Sequence, residues 1–250
     1  MSGHSKWATI RRKKAANDAK RSNQYAKLLR AVEVAAREGG GDPGGNMTLA
    51  SAIEKARAFS VPAENIDRAI RRGTGADASG ARYEEVTYEG YGPGGVALVV
   101  ETLTDNRNRT AQDVRHAFAR HRGNLGETGS TLWMFSRKGV IVVDKDAAPD
   151  DETLLELVLD AGADDVQDAG TSWEVVTPPP AFRTVHGALQ AAGVDVASAE
   201  LSMVPQATLP LEGAEARGVL ELVEALEDLD DVQNVYANFD IPEGVMASLG

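Results

Sequence analysis

The chain has 250 residues, no cysteine and a formal net charge of −12, with 42% hydrophobic and 26% charged residues. This composition is typical of a soluble globular protein, and the lack of cysteine excludes disulfides, thiolate metal sites and a cysteine nucleophile. Because the sequence contains no run of about 18 apolar residues and no apolar stretch behind the basic N-terminus, we predict no membrane span, no secretory signal and a cytoplasmic location.

Positive charge is concentrated at the N-terminus. Residues 1–81 hold fifteen Lys and Arg against eight Asp and Glu, whereas residues 82–250 hold eleven against thirty. An asymmetry of this kind indicates a segment that faces a polyanion. At about 0.1 M salt the Debye length is about 10 Å, so an acidic domain at a greater distance is largely screened. The local positive charge therefore predicts a nucleic-acid partner.

The first third of the chain predicts a basic arm at residues 1–21, followed by a small helical bundle. Apolar residues at three- and four-residue spacing predict a helix over 22–38, and "GGGDPGG" at 39–45 interrupts it. Further helices are predicted over 48–59 and from Ser60, near the cap, to a stop at Gly73. The sequence "GTGADASGA" at 73–81 is typical of a linker.

Short strands then alternate with helices. Strands are predicted over 95–103, within 132–144, and over 172–177, 197–205 and 232–240. Helices are predicted over 109–121, 150–163, 181–193 and 216–229. This order predicts an α+β fold with lobes of split-βαβ type.

Two details of this region are specific enough to check. The helix over 150–163 is predicted to carry Leu154, Leu155, Val158 and Leu159 on one side. The sequence Asp-Asp-Val-Gln occurs at 164–167 and again at 230–233, each time between a helix and a strand. This repeated tetrapeptide suggests two related lobes. The alternative is that the match arose by chance.

The strongest candidate site is the basic arm. Lys13, Lys20 and Lys27 are seven residues apart and would lie near one face of a helix. Small alanines between them allow a phosphate backbone to approach closely, with Lys and Arg replacing its counterions. A solvated tail is the alternative. The predicted nucleic-acid-binding residues are Lys6, Arg11, Arg12, Lys13, Lys14, Lys20, Arg21 and Lys27.

A second candidate lies in "TDNRNRTAQD" at 104–113, which joins a strand to a helix. Thr110 and Asp113 have the spacing of a capping box. Arg107 and Arg109 would then lie beside a helix N-terminus, whose free N–H groups favour an anion. Arg107, Arg109 and Thr110 are therefore predicted as an anion site. The alternative is a structural turn whose arginines pair with carboxylates of the acidic lobe.

No pattern of catalytic residues is present. Gly90, Gly92 and Gly95 formally match a dinucleotide-binding loop, but they lead into a strand instead of a helix, which favours a tight turn with positive φ. His116 and His121 are five residues apart and do not share a helix face as a metal-binding pair would. We expect no catalytic residue, metal, cofactor or small-molecule substrate.

Several long segments together resemble the YebC family of probable transcriptional regulatory proteins. They are "GHSKWATIRRKKAANDAKR", "GGGDPGGN", "NIDRAIRRGTG", "YEEVTYEGYGPGGVALVVETLTDNRNRTAQDVRHAF" and "GNLGETGSTLWMF". The resemblance implies a cytoplasmic protein with a helical N-terminal domain and two α/β lobes, one inserted in the other. The expected domains are 1–81, then 82–134 with 206–241, and the insertion 135–205.

The family also implies a non-enzymatic regulator of gene expression. Some members are described as DNA-binding regulators, and others, including mitochondrial relatives, as ribosome-associated activators of translation. The partner implied is therefore DNA, or rRNA or tRNA on the ribosome. The acidity of residues 82–250 departs from this pattern and argues against nucleic-acid contacts by both lobes.

Overall fold

The computed structural model describes residues 18–75 and 83–241, with the side chains of the first helix described from Asn23 onward. The N-terminal part forms three helices, α1 (Asp18–Gly39), α2 (Met47–Ala58) and α3 (Ala63–Gly73). Their buried faces meet in one apolar core around Val32, Leu49 and Ile66. The predicted helical bundle is therefore confirmed.

Two residues fix how the three helices meet. Asn46 caps α2 by accepting a hydrogen bond from the Leu49 amide at 3.0 Å, and its own amide donates to the carbonyl of Ala35 in α1. Gly73 lies so close to α1 that a Cβ there would be 2.3 Å from the carbonyl oxygen of Glu33. Ser60, which was predicted to lie near the cap of α3, is two residues before the observed cap, Pro62, which makes no side-chain hydrogen bond.

The next lobe is a four-stranded antiparallel sheet with two helices on one face. The strands are β1 (Glu84–Tyr91), β2 (Ala97–Thr104), β3 (Asn124–Leu125) and β9 (Val232–Ala237), in the order β3-β1-β2-β9. The helices are α4 (Arg107–Arg120) and α7 (Gly213–Glu227). Between the sheet and these helices lies a core that includes Leu98, Phe118 and Leu222. A short parallel pair, β8 (Leu209–Pro210) and β10 (Phe239–Asp240), completes the lobe.

All the strands of the second sheet come from residues 135–205. They are β4 (Phe135–Asp144), β5 (Asp165–Asp168), β6 (Ser172–Thr177) and β7 (Val196–Pro205), in the order β5-β6-β4-β7. Helices α5 (Asp151–Asp160) and α6 (Phe182–Ala191) pack on it over Ile141, Val158 and Leu189. Because β6 lies between β4 and β5, this is a split βαβ unit, and the predicted α+β fold is confirmed.

The two sheets also touch each other. Val99 and Tyr236 of the first sheet pack with Phe135 of β4 and Met203 of β7. We call residues 83–134 with 206–241 the second lobe and residues 135–205 the inserted lobe. The boundaries assigned from the sequence stay a prediction, as does an internal duplication, although both Asp-Asp-Val-Gln segments run into an edge strand.

Other local predictions have mixed outcomes. The turn at 92–95 does use positive φ, at Gly94 (68°) and Gly95 (78°), and leads into β2. On α5, however, Leu154 and Val158 are buried while Leu155 and Leu159 are 43% and 45% exposed, because each lies about 100° round the helix from its buried neighbour. In the described ranges no helix is long and apolar enough to cross a membrane.

Candidate nucleic-acid interface

Most of the basic arm precedes the described structure. Lys6, Arg11, Arg12, Lys13 and Lys14 lie outside the described residues. The backbone of Lys20 and Arg21 is part of α1, but the structure does not describe their side chains. Their role in nucleic-acid binding therefore stays a prediction.

The structure corrects the prediction that Lys27 binds nucleic acid. Its side chain is 7% exposed, and its ammonium donates a hydrogen bond to the carbonyl of Glu227 at the end of α7. Burial lowers the pKa of Lys27 to about 8, although the nearby charges of Glu227 and Asp228 oppose this shift. Lys27 holds α1 against the second lobe and is not available to a phosphate backbone.

Two further polar residues of α1 make the same contact with the second lobe. Asn23 donates to the carbonyl of Asp228 at 3.1 Å. Arg30 donates to the carbonyls of Leu103 and Asp230 and to the carboxylate of Asp231, at 2.9–3.1 Å. The middle of α1 is thus anchored to the turn between α7 and β9 through charged and polar groups.

The predicted anion site at the start of α4 already holds an anion from the chain itself. The Asp231 carboxylate is 6% exposed and accepts from Arg109 at 2.8 Å, from Thr110 at 2.7 Å and from Arg30 at 2.9 Å. Burial raises the pKa of Asp231, but hydrogen bonds from Arg109 and Thr110 and the charges of Arg109 and Arg30 lower it, and the net shift is downward. Arg109 also pairs with Asp105 at 2.9 Å.

The capping prediction for this helix is wrong in position. Helix α4 begins at Arg107, and its cap is Asn106, whose side chain accepts from the Arg109 amide at 3.2 Å. Thr110 is therefore one turn inside the helix and buried, where its hydroxyl binds Asp231 instead of a free backbone N–H group. Of the three predicted residues, Arg109 and Thr110 fit the structural alternative, and Arg107 is exposed.

A cavity of about 370 Å³ separates the bundle from the two lobes. Carboxylates outnumber cations in its wall, so it does not have the charge of a phosphate site. At its edge, Lys55 of α2 pairs with Glu200 of β7 at 3.2 Å and links the bundle to the inserted lobe. Its ionisable lining consists of Lys27, Lys55, Arg137, Glu85, Glu101, Glu224, Glu227 and Asp228.

The helical N-terminal part and the two lobes each match a known family domain. Residues 5–76 match the TACO1/YebC protein N-terminal domain, and residues 83–239 match the TACO1/YebC second and third domain. The chain belongs to the TACO1/YebC family. The resemblance found in the sequence is therefore confirmed.

Individual relatives align over nearly their whole length. A protein of Salinispora arenicola is 55% identical over all of both chains, and one of Rubrobacter xylanophilus is 55% identical over all of this chain and 99% of its own. Both carry the name "probable transcriptional regulatory protein". The crystal structure of a conserved hypothetical protein from Aquifex aeolicus is 44% identical, with a TM-score of 0.80 over 90% of this chain and 93% of that one.

The residues that sequence reasoning missed are those that join the domains. Arg30 was not singled out, and Asp231 was seen only as part of a repeated tetrapeptide. The partners are about 200 residues apart in sequence, so no local spacing connects them. Among the described residues, no group of three or more His, Asp or Glu side chains is placed to hold a metal ion.

Proposed function

We propose that this protein is a non-enzymatic, cytoplasmic regulator of gene expression that binds DNA through its basic N-terminal segment. The observation that carries the proposal is the charge of residues 3–21, where seven Lys and Arg accompany a single acid in a chain of net charge −12. The names of the relatives support a regulatory role. RNA on the ribosome is the alternative partner.

The described structure supports this proposal by showing what the arm is attached to. Asn23, Lys27 and Arg30 anchor α1 to the second lobe, so the helix that continues the arm in sequence has a fixed position on that lobe. Since Lys27 is engaged inside the protein, the proposed binding set is reduced to seven residues. They are Lys6, Arg11, Arg12, Lys13, Lys14, Lys20 and Arg21.

The salt dependence of binding tests the arm directly. If the protein makes about six phosphate contacts, the logarithm of the binding constant falls with the logarithm of salt at a slope of roughly −5. Replacing Lys13, Lys14, Lys20 and Arg21 with Ala should make this slope shallower by roughly 3 to 4. Unchanged affinity and slope in this variant would reject the site.

A control variant separates local contact from net charge. Arg137, Arg183 and Arg217 are exposed in the two lobes and far from the arm in sequence. Replacing these three with Ala lowers the net charge by a similar amount. The proposal expects the control to keep the wild-type slope.

The identity of the nucleic acid needs a separate measurement. Crosslinking in cells followed by sequencing of the bound nucleic acid should yield mainly DNA. A yield dominated by rRNA or tRNA, together with co-sedimentation with ribosomes after DNase treatment, would favour the translational alternative and leave the arm as the binding site.

A further inference from the structure

We infer that the outer face of α4 is a second surface that contacts the nucleic-acid backbone, alongside the basic arm. This inference rests on the proposed function and adds a site to it. The surface lies on the turns of α4 that follow Arg109 and Thr110, the residues that contact Asp231. These turns lie in a lobe whose overall acidity gave no reason to expect such a surface.

The positive charge of the acidic half of the chain is concentrated in this helix. Residues 107–122 contain five of the eleven Lys and Arg of residues 82–250, and their only acid is Asp113. The remaining residues of that half are therefore somewhat more acidic than its total suggests. Within about 10 Å, which is the Debye length at 0.1 M salt, the local charge dominates.

The arginines of α4 differ in what they contact. Arg109 is engaged by Asp231 and Asp105. Arg115, Arg120 and Arg122 are exposed, and none of them has an ion pair with another residue of the described structure. Arg115 and Arg120 lie on α4 and Arg122 lies two residues beyond its end, whereas the exposed Arg183 and Arg217 lie singly on α6 and α7.

The shape of the outer face suits a phosphate backbone. Val114 and Phe118 point into the core, so the opposite side of the helix faces solvent. At 100° per residue, the exposed Ala119 lies near the middle of this side, with Arg115 to one side of it and Arg120 to the other. A small residue between two guanidinium groups allows close approach, and Arg is the side chain best suited to phosphate oxygens.

Two exposed polar residues add donors to the same face. They are Gln112 and His116. The neighbouring helix α7 presents Glu215 and Glu221 to solvent, and neither pairs with an arginine of α4 in the ranges that the structure covers. The acidic α7 therefore limits the surface on one side, and the phosphate track is expected to run along α4 itself.

Helices α1 and α4 bind the same carboxylate. Asp231 binds Arg30 of α1 with one carboxylate oxygen and Arg109 of α4 with the other. In sequence, the arm leads into the N-terminal end of α1. The twelve residues from Asp18 to Arg30 span about 18 Å of helix. Asp18, where the described structure begins, is thus about 18 Å along α1 from the residue that shares a carboxylate with α4.

The test measures binding of the full-length protein to a short duplex DNA and a short single-stranded RNA, both of random sequence, between about 50 and 200 mM salt. The variant R115Q/R120Q should make the salt slope shallower by roughly 2, about one for each lost contact. The control R137Q/R183Q removes the same charge from two exposed arginines of the inserted lobe and should keep the wild-type slope. A slope for R115Q/R120Q equal to that of the control would overturn the inference.

The outcomes distinguish this inference from the proposed function. If the arm variant loses binding while R115Q/R120Q behaves as the control does, the arm proposal stands and the α4 surface is rejected. If the arm variant binds normally and only R115Q/R120Q is impaired, the arm proposal fails and α4 stands. If the wild-type protein binds neither probe, both are rejected.

A contact measurement complements the affinities. Because the chain has no cysteine, Ala119→Cys gives a single site for a photo-crosslinker on the outer face of α4. Ala191→Cys, exposed at the end of α6, is the matched control. Crosslinks to the nucleic acid from position 119 and not from 191 are expected; equal yields from the two positions would overturn the inference.

Discussion

The first turn of α4 and its later turns show two uses of the same residue type. Arg109 and Arg120 belong to one helix, and both are exposed. Arg109 nevertheless donates to Asp105 and to the buried Asp231, while Arg120 has no ion pair in the described structure. Local charge density therefore does not by itself identify a ligand site. The position of a distant carboxylate decides whether an arginine is engaged within the protein.

The same distinction divides α1. Its middle, from Asn23 to Arg30, is as polar as a nucleic-acid-binding helix, but its side chains hold the second lobe. The basic arm before it has no assigned internal role and is proposed to bind phosphate. Side chains paired within the protein should therefore affect stability, and side chains that bind phosphate should affect the salt dependence of nucleic-acid binding.

The largest expected effect comes from removing the carboxylate that both helices share. Asp231→Asn should destabilise the protein by about 3–5 kcal/mol, because it leaves Arg30 and Arg109 without their buried partner. Urea denaturation at neutral pH measures this change. Asp230→Asn, at the exposed neighbouring residue, is the control and should stay within about 0.5 kcal/mol of wild type.

The same pair of variants gives a pH dependence. The pKa of Asp231 is lowered in the folded state, so its contribution is complete above its unfolded pKa of about 3.9 and is lost as the pH falls through the folded value. The wild-type advantage over Asp231→Asn should therefore shrink in acid. An advantage that is constant down to the lowest pH that can be measured would contradict the assignment.

A smaller effect is expected at Lys27. Its folded pKa of about 8 lies below the ordinary value of 10.5, so the unfolded state binds more protons between these pH values. Stability relative to Lys27→Met should therefore rise over this window, by about 3 kcal/mol in total. Paired denaturation curves at the two ends of the window measure it. A difference that does not change with pH would show that Lys27 is solvated.

The smallest changes separate the two parts of α4. Arg109→Gln should lower the urea midpoint and leave the salt slope of nucleic-acid binding unchanged, because its charge is engaged by Asp231. Arg120→Gln should leave the midpoint unchanged and make the slope shallower by roughly 1. The reverse pattern would contradict the division of the helix into engaged and available arginines.

Much of the fold could be predicted from local patterns in the sequence. The apolar spacing of the helix predicted over 216–229 corresponds to α7, which begins three residues earlier, and the β-branched run over 95–103 corresponds to β2. Strand β1 was missed, because its glutamates and Gly90 hide the alternation of a strand. The cap of α4 was placed at Thr110 because the capping-box spacing was satisfied there, although Asn106 caps the helix.

The candidate site was less predictable than the fold. The charge asymmetry identified the arm, but nothing near Lys27 in sequence indicates that Glu227 approaches it. Arg107 and Arg109 were singled out for their place at a helix start, while Arg115 and Arg120, later in the same helix, and Arg122, just after it, were not. Their exposure follows from which side of α4 packs on the sheet, and that depends on the tertiary structure.

Deleting residues 1–17 tests the central claim most directly, because all the described contacts between α1 and the second lobe begin at Asn23 and are left intact. The measurement is the salt dependence of DNA binding by this deletion and by the full chain, with circular dichroism to verify the fold. Loss of five basic residues should reduce the magnitude of the slope by roughly 3, because Lys20, Arg21 and the α4 arginines keep their share of the total of roughly −5. A folded deletion that keeps the affinity and slope of the full chain would contradict the account.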